Sequence, residues 1–303
     1  MEYLKSPLDP KGETQAFVVQ EGWTAADIAQ KLEENKIIRS AFIFRQELKK
    51  VDSTKIQAGD FIISASMSVN EVINELTQGS VDKKVTLIEG WRVEQMAEEL
   101  NKKLGIDKAE FITQAKEYEG YLFPDTYFFN PDVAIPDIIL TLRNTFNRKI
   151  SDELKQKIRT KGLTDKEGVI LASLIEREAR SPKVRTEVAG VLLNRLDQGM
   201  KLDIDATVQY AKDSQSLQAN PNFNKFWQPI TQSEYSSVKS PFNTYLNPGL
   251  PPSPIANPSL SSFQAIADAD LDSPYLFYFH DAQGNSYYAK TLEQHNENVA
   301  KYR

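Results

Sequence analysis

Apolar residues recur along this chain in a strand rhythm and a helix rhythm, and a weak repeat contains both. FVVQEGWTAADIAQKLEENKII (17–38) aligns without gaps on VTLIEGWRVEQMAEELNKKLGI (85–106). Each copy opens with a β-rich run, turns at Glu-Gly-Trp and continues with apolar positions at i, i+1 and i+4. These are Ile28, Ala29 and Leu32 in one copy and Met96, Ala97 and Leu100 in the other. That spacing lines one face of a helix, and glycine before each tryptophan suits a tight strand-to-helix turn. Two copies are too few for a solenoid, so the pattern predicts two related βα units.

The first copy continues with a second helix (Ala41 to Lys50), a strand in GDFIISA and a short helix in SVNEVINEL, with Gly79 as its stop. This β-α-α-β order resembles a LysM-like module, which in other proteins grips N-acetylglucosamine polymers. The alternative is a small structural domain that binds nothing, since a fold alone does not make a site. Gly79-Ser80 and the restart of the repeat place a boundary near residues 80–84. The fold class expected is therefore α+β: a small LysM-like domain over 1–82, then a larger mixed, helix-rich domain over 83–303. Within the latter, 83–160 carries the second βα unit and a helical part, and 161–303 forms the rest. The helical part includes the aromatic segment EGYLFPDTYFF (119–129) and one long helix near Ile135 to Thr160. The stretch 240–260 holds six of the fifteen prolines, which predicts an extended, pre-set loop. YLFYFHDAQGNSYYA reads as a hairpin turned at Gln283-Gly284-Asn285, and a helix over Leu292 to Tyr302 follows.

One helix pattern, over 165–180, ends in two glutamates within LASLIEREAR. At 100° per residue, Glu176 shares a stripe with Asp165, Val169, Ala172 and Ser173, and Glu178 shares the opposite stripe with Glu167, Leu171 and Leu174. Small neighbours leave room for something to approach Glu176. A carboxyl seated beside apolar walls holds its proton toward neutral pH, as a departing glycosidic oxygen requires. The other reading is a solvated helix end with both glutamates paired to Arg177 and Arg180.

Charge and composition narrow the chemistry. A net charge of −6 with no basic stripe argues against nucleic acid as a partner. With no cysteine, thiolate chemistry and thiolate-bound zinc are excluded. The two histidines, His280 and His295, lie at no helical ligand spacing and no GxSxG elbow accompanies them, so neither a metal site nor a serine triad is expected. No apolar run approaches the roughly 18 residues of a membrane span.

Five ordered blocks then carry a resemblance to the MltG or YceG-like family of endolytic murein transglycosylases. EGYLFPDTYFF resembles that family's EGxLFPDTY block, and LASLIEREA its ASIIEKE block. VLLNRLDQGMKLDIDATVQYA is similar to FxNRLxxGMxLQSDPTVxY, SPFNTYLNPGLPPSPIANPS to SPYNTYxxxGLPPGPIxNPG, and TLEQHNENV to TxxEHNxxV. The resemblance implies a lyase that cuts the MurNAc–GlcNAc β-1,4 bond within glycan strands and leaves 1,6-anhydro-MurNAc ends. It makes 83–303 the catalytic domain with 161–303 as the catalytic core, places the family's catalytic glutamate on Glu176 and gives Glu178 a supporting part. It further implies action on the extracytoplasmic face of the bacterial cytoplasmic membrane, with a single N-terminal anchor upstream of Met1. Peptidoglycan strands are the expected partner, with the cell-wall synthesis machinery a further one. No cofactor is expected, and a monomer is the default.

Ordinary glycosidases use two carboxylates. This chemistry needs one, because the C6 hydroxyl of the same sugar is the nucleophile. Asn243 and Tyr245 on the proline-rich loop are candidates to hold N-acetyl or hydroxyl groups. Asp205 and Thr207 are candidates to line the cleft, Asp205 alternatively capping the helix that Thr207 starts. Tyr121, Asp125 and Tyr127 offer a sugar-stacking surface or core packing, and Asn194 and Arg195 sit on a helix. The chain departs from the family pattern at Asp203 for Gln, Ala206 for Pro, Phe242 for Tyr, Ser253 and Ser259 for Gly, and Ser286 near a common His. Asp203 or Asp205 keeps open a muramidase-type hydrolase with a second carboxylate. A non-catalytic glycan-binding scaffold is the third reading.

Overall fold

The computed structural model describes residues 2–20, 22–51, 56, 58–78 and 82–302. The expected stop at Gly79, the boundary at Gly79-Ser80 and Glu21 of the first turn lie outside these. In chain order come β1 (Thr14–Val19), α1 (Ala25–Glu34), α2 (Ala41–Leu48), β2 (Gly59–Ser64), α3 (Val69–Gln78), β3 (Lys83–Thr86), α4 (Val93–Leu104), α5 (Lys108–Ala115) and β4 (Thr126–Phe129). There follow α6 (Ile135–Lys149), α7 (Asp152–Arg159), α8 (Asp165–Glu178), α9 (Pro182–Asp197), α10 (Asp205–Ala219), α11 (Glu234–Ser237), α12 (Leu260–Ala267), β5 (Phe277–His280), β6 (Ser286–Ala289) and α13 (Leu292–Tyr302). The class is mixed α+β, with two-stranded antiparallel sheets β1-β2, β3-β4 and β5-β6. No described helix is long and apolar enough to cross a membrane.

The chain divides into two compact units, Met1–Thr86 with Leu100–Ile106 and Thr126–Ala134, and Leu87–Glu99 with Asp107–Asp125 and Ile135–Arg303. In the first, Phe17 of β1 lies opposite Phe61 of β2, and both point into a core with Leu32, Phe44 and Leu76. Each such side chain contributes about 1.5–3 kcal/mol by burial. A capping box between Thr24 and Asp27 starts α1, and Ser40 caps α2. Both copies of the repeat turn as expected, with φ of +85° at Gly22 and +75° at Gly90.

The second unit is built around α8. Its residues from Gly168 to Ile175 are all buried, and a helix apolar on every side belongs at the centre of a core. It packs against α7, α9, α10 and α12, with Phe146, Leu171, Leu192 and Phe263 in the shared cluster. The single helix expected over 135–160 is two, because Ser151 breaks the run and caps α7, accepting from the Leu154 N–H at 3.2 Å. Arg92 is 1% exposed, pairs with Glu94 at 3.0 Å and lies over the Tyr210 ring at 4.0 Å.

Candidate active site

The site sits where α8 ends. A Thr164–Glu167 capping box sets its start, and its last cap, Ala179, is extended. Ser181 then caps α9 with Pro182 in the first turn, where proline's missing N–H costs nothing. This tight corner brings Arg185 of α9 back to Glu176. The Arg185 guanidinium donates to Glu176 Oε1 at 2.5 Å, to the Ala179 carbonyl at 3.0 Å and to Ser259 Oγ at 2.9 Å. Glu176 Oε2 accepts from the Ser259 N–H at 2.9 Å, Ser259 Oγ at 2.6 Å and Ser262 Oγ at 2.8 Å. Ser259 is the N-cap residue of α12, so the carboxylate also meets the positive end of that helix. The room that small neighbours leave beside Glu176 is thus filled by protein donors, and its side chain is 4% exposed.

Glu178, two residues beyond on the stripe of larger aliphatics, faces a cleft of about 860 Å³. Burial pushes its carboxyl up to about 7; the Asp205 charge pushes the same way, while the Tyr278 hydroxyl, Arg177 and the Ala206 N–H oppose it. Tyr278 Oη donates to Glu178 Oε2 at 2.8 Å. Tyr278 is placed by the β5-β6 hairpin, which is itself tied to α9 through Tyr288 Oη donating to Glu187 Oε2 at 2.6 Å. A second hollow, about 410 Å³, lies against Glu178, Arg180, His280 and the hairpin turn. A separate hollow of about 630 Å³ lies by Thr164, Glu167 and Pro251, where the Glu167 carboxylate is committed to its capping box.

The other expected residues fall into three groups. Asp203, Asp205 and Tyr245 line the large cleft with Glu178. Asp205 is the first residue of α10 and its side chain does not cap the helix; Oδ1 accepts from Tyr245 Oη at 2.7 Å. The Tyr245 ring rests on Tyr235, centroids 4.3 Å apart, and burial raises its phenol's pKa. Asp203 holds a left-handed backbone, φ +53°, and takes Arg195 at 3.3 Å.

Asn243 and Thr207, by contrast, are wholly buried. Asn243 donates to the Tyr235 and Val238 carbonyls and accepts from the Tyr245 N–H, so it shapes the loop that presents Tyr245. Thr207 bonds the Ile204 carbonyl and Thr244 Oγ1, with the same bracing effect. The third group lies elsewhere. Tyr127 belongs to the first unit, buried and stacked on Phe129, and Asp125 faces Lys149 at 3.7 Å. Tyr121 packs on Phe146, and Asn194 holds the Ser273 and Tyr275 carbonyls ahead of β5.

Sequence reasoning missed Arg185 and Tyr278. Alternation in YLFYFH marks Tyr278 and His280 as one face of a strand, but nothing in the sequence pairs that face with Glu178. His280 and His295 both line the cleft, and burial lowers the pKa of each, favouring neutral imidazole.

The YceG-like family model matches residues 17–301. The chain is 30% identical over 330 residues to an endolytic murein transglycosylase of Bacillus subtilis, covering 99% of this chain and 88% of that one. It is 26% identical over 341 residues to an endolytic murein transglycosylase of Streptococcus pneumoniae, covering 98% of this chain and 60% of that longer protein. Its fold is similar to the crystal structure of a yceG-like protein from Listeria monocytogenes, with a TM-score of 0.60, 28% identity and coverage of 95% and 99%. A match of this extent, with a relative at that identity, means that the chain belongs to the YceG-like family.

Proposed function

We propose that this protein is a peptidoglycan lytic transglycosylase in which Glu178, not Glu176, is the general acid and then the base. Kinship with enzymes called endolytic murein transglycosylases supports the reaction class. The observation that carries the residue assignment is a cleft-lining carboxyl raised to about 7, beside a neighbour closed off by four donors. An acid must be protonated when the leaving group departs and still ionise readily afterwards, which favours a pKa near the working pH.

Glu178 gives its proton to the glycosidic oxygen as the bond to C1 of MurNAc breaks, and the neighbouring N-acetyl group shares the developing charge. The resulting carboxylate then takes the proton of the C6 hydroxyl as O6 bonds to C1. The products are a 1,6-anhydro-MurNAc end and a free GlcNAc hydroxyl, with no water consumed. Tyr278 steadies the carboxylate between the steps, and Asp205 with Tyr245 borders the sugar path. Glu176 braces α8 against α9 and α12.

Asp203 and Asp205 in the same cleft favour one second reading, a hydrolase using water. Mass spectrometry of the ends released from purified glycan strands separates the two. Anhydro ends support the transglycosylase, reducing ends the hydrolase, and uncut strands a binding protein. The reaction belongs outside the cytoplasmic membrane, where peptidoglycan lies. For residues 1–82 we infer a LysM-like grip on glycan, supported by the order β1-α1-α2-β2. Titration with N-acetylglucosamine oligomers, read from amide shifts in that segment, tests it; unmoved shifts remove the assignment.

A further inference from the structure

Arg177 is the cation of the large cleft that forms no ion pair among the described residues. The other lining arginine, Arg195, is committed to the Leu276, Lys201 and Leu202 carbonyls and to Asp203. Arg177 lies between two glutamates in sequence, yet Glu176 is bound by Arg185 and Glu178 by Tyr278. Asp213 accepts from the Trp227 N–H. Among the described residues no carboxylate forms an ion pair with Arg177, and its Nε is buried without a hydrogen-bond partner.

The guanidinium is nevertheless held in place. Its central carbon lies 4.0 Å from the centroid of the Trp227 ring. Trp227 is itself fixed in a left-handed backbone, φ +62°, by its N–H to Asp213 Oδ2 at 2.9 Å and its indole N–H to Gln95 Oε1 at 2.8 Å. Such a conformation persists in a bulky residue only where its surroundings enforce it. An arginine stacked by one face keeps its in-plane N–H donors free, in the fork that matches a carboxylate. It stays charged even when burial disfavours that. A pre-set guanidinium that forms no ion pair with a described carboxylate, on a cleft wall, is therefore a receptor for an anion.

We infer that Arg177 binds a carboxylate on the lactyl-peptide arm of the glycan strand, so that the cleft reads this arm as well as the sugars. The inference rests on the peptidoglycan reading above. N-acetylated sugars carry no anion of their own. The arm does, either as carboxylates of the stem peptide or, where the stem has been removed, as the lactyl carboxylate.

Calorimetric binding to the full chain carrying Glu178→Gln tests this with three strand preparations. One has native stems, one has stems with carboxylates converted to amides, and one is stem-free with lactyl carboxylates exposed. Native stems should bind about tenfold tighter than amidated ones, the worth of one charge-assisted pair. Adding Arg177→Gln should abolish that preference. If native and amidated stems bind alike but stem-free strands bind tighter through Arg177, the lactyl carboxylate is the anion. Equal affinity for all three strands overturns the inference, and that comparison needs no arginine variant to fold. Cleavage of native strands by the unsubstituted protein is measured alongside. Anhydro ends with equal affinities overturn the Arg177 assignment alone, whereas no binding and no cleavage of any strand overturns the peptidoglycan reading and this inference with it.

Discussion

Tyr278 on β5 donates a 2.8 Å hydrogen bond to the carboxylate of Glu178, joining residues 100 apart in the chain. The bond favours the ionised carboxylate and so opposes the burial that lifts Glu178 to about 7. Tyr278→Phe removes it, and Glu178 should keep its proton to higher pH. The alkaline limb of the kcat/KM profile should move upward, and kcat should fall roughly tenfold as the base loses its orienting partner. An unmoved limb would separate Tyr278 from the chemistry.

Asp205 acts on the same carboxyl in the opposite sense. Its charge raises the pKa of Glu178, so Asp205→Asn should move the alkaline limb downward while leaving Tyr245 a side-chain oxygen to donate to. Activity at pH 8 should drop by roughly two- to fivefold, consistent with one partly screened charge. A limb displaced upward would mean that Asp205 is not a neighbouring anion in the working enzyme.

Stability should carry the mark of Glu178. Its folded pKa, about 7, lies above the ordinary value of 4.5, so between these the native state binds more protons than the unfolded one. Stability must then fall as pH rises through that window. Glu178→Gln removes this loss. Its advantage over the native protein should grow from near zero at pH 4 to on the order of 1–3 kcal/mol at pH 8. Denaturant unfolding at the two pH values checks this, and a constant difference would contradict it.

Much of the scaffold is legible in the residues themselves. Gly22 and Gly90 mark both turns of the repeat, Ser-Pro at 181–182 restarts a helix, and alternation around Gly284 forms the β5-β6 hairpin. The split between α6 and α7 was missed because periodicity runs on through Ser151, whose capping bond is local and needs no break in the apolar pattern. The two glutamates show where one-dimensional reading stops. Helix geometry separates their stripes correctly, but what occupies the space beside Glu176 comes from Ser259 and Ser262, 83 and 86 residues away. Small neighbours on one helix signal room for a substrate or for another part of the chain, and only the tertiary fold tells which. Asn243 and Thr207 illustrate the same point, since their family blocks border the cleft while their side chains brace it from beneath.

The central claim is the division of labour between Glu178 and Glu176, and anhydro-end formation by their glutamine variants tests it most directly. Each variant is assayed on purified strands with its folded fraction measured in the same sample. Glu178→Gln should fold and form no anhydro ends. Glu176→Gln leaves the buried Arg185 without its carboxylate, so it should lose about 3–5 kcal/mol of stability. Its folded molecules should still form anhydro ends at close to the native rate. A folded Glu178→Gln protein that cuts strands, or a folded Glu176→Gln protein that does not, would contradict the account.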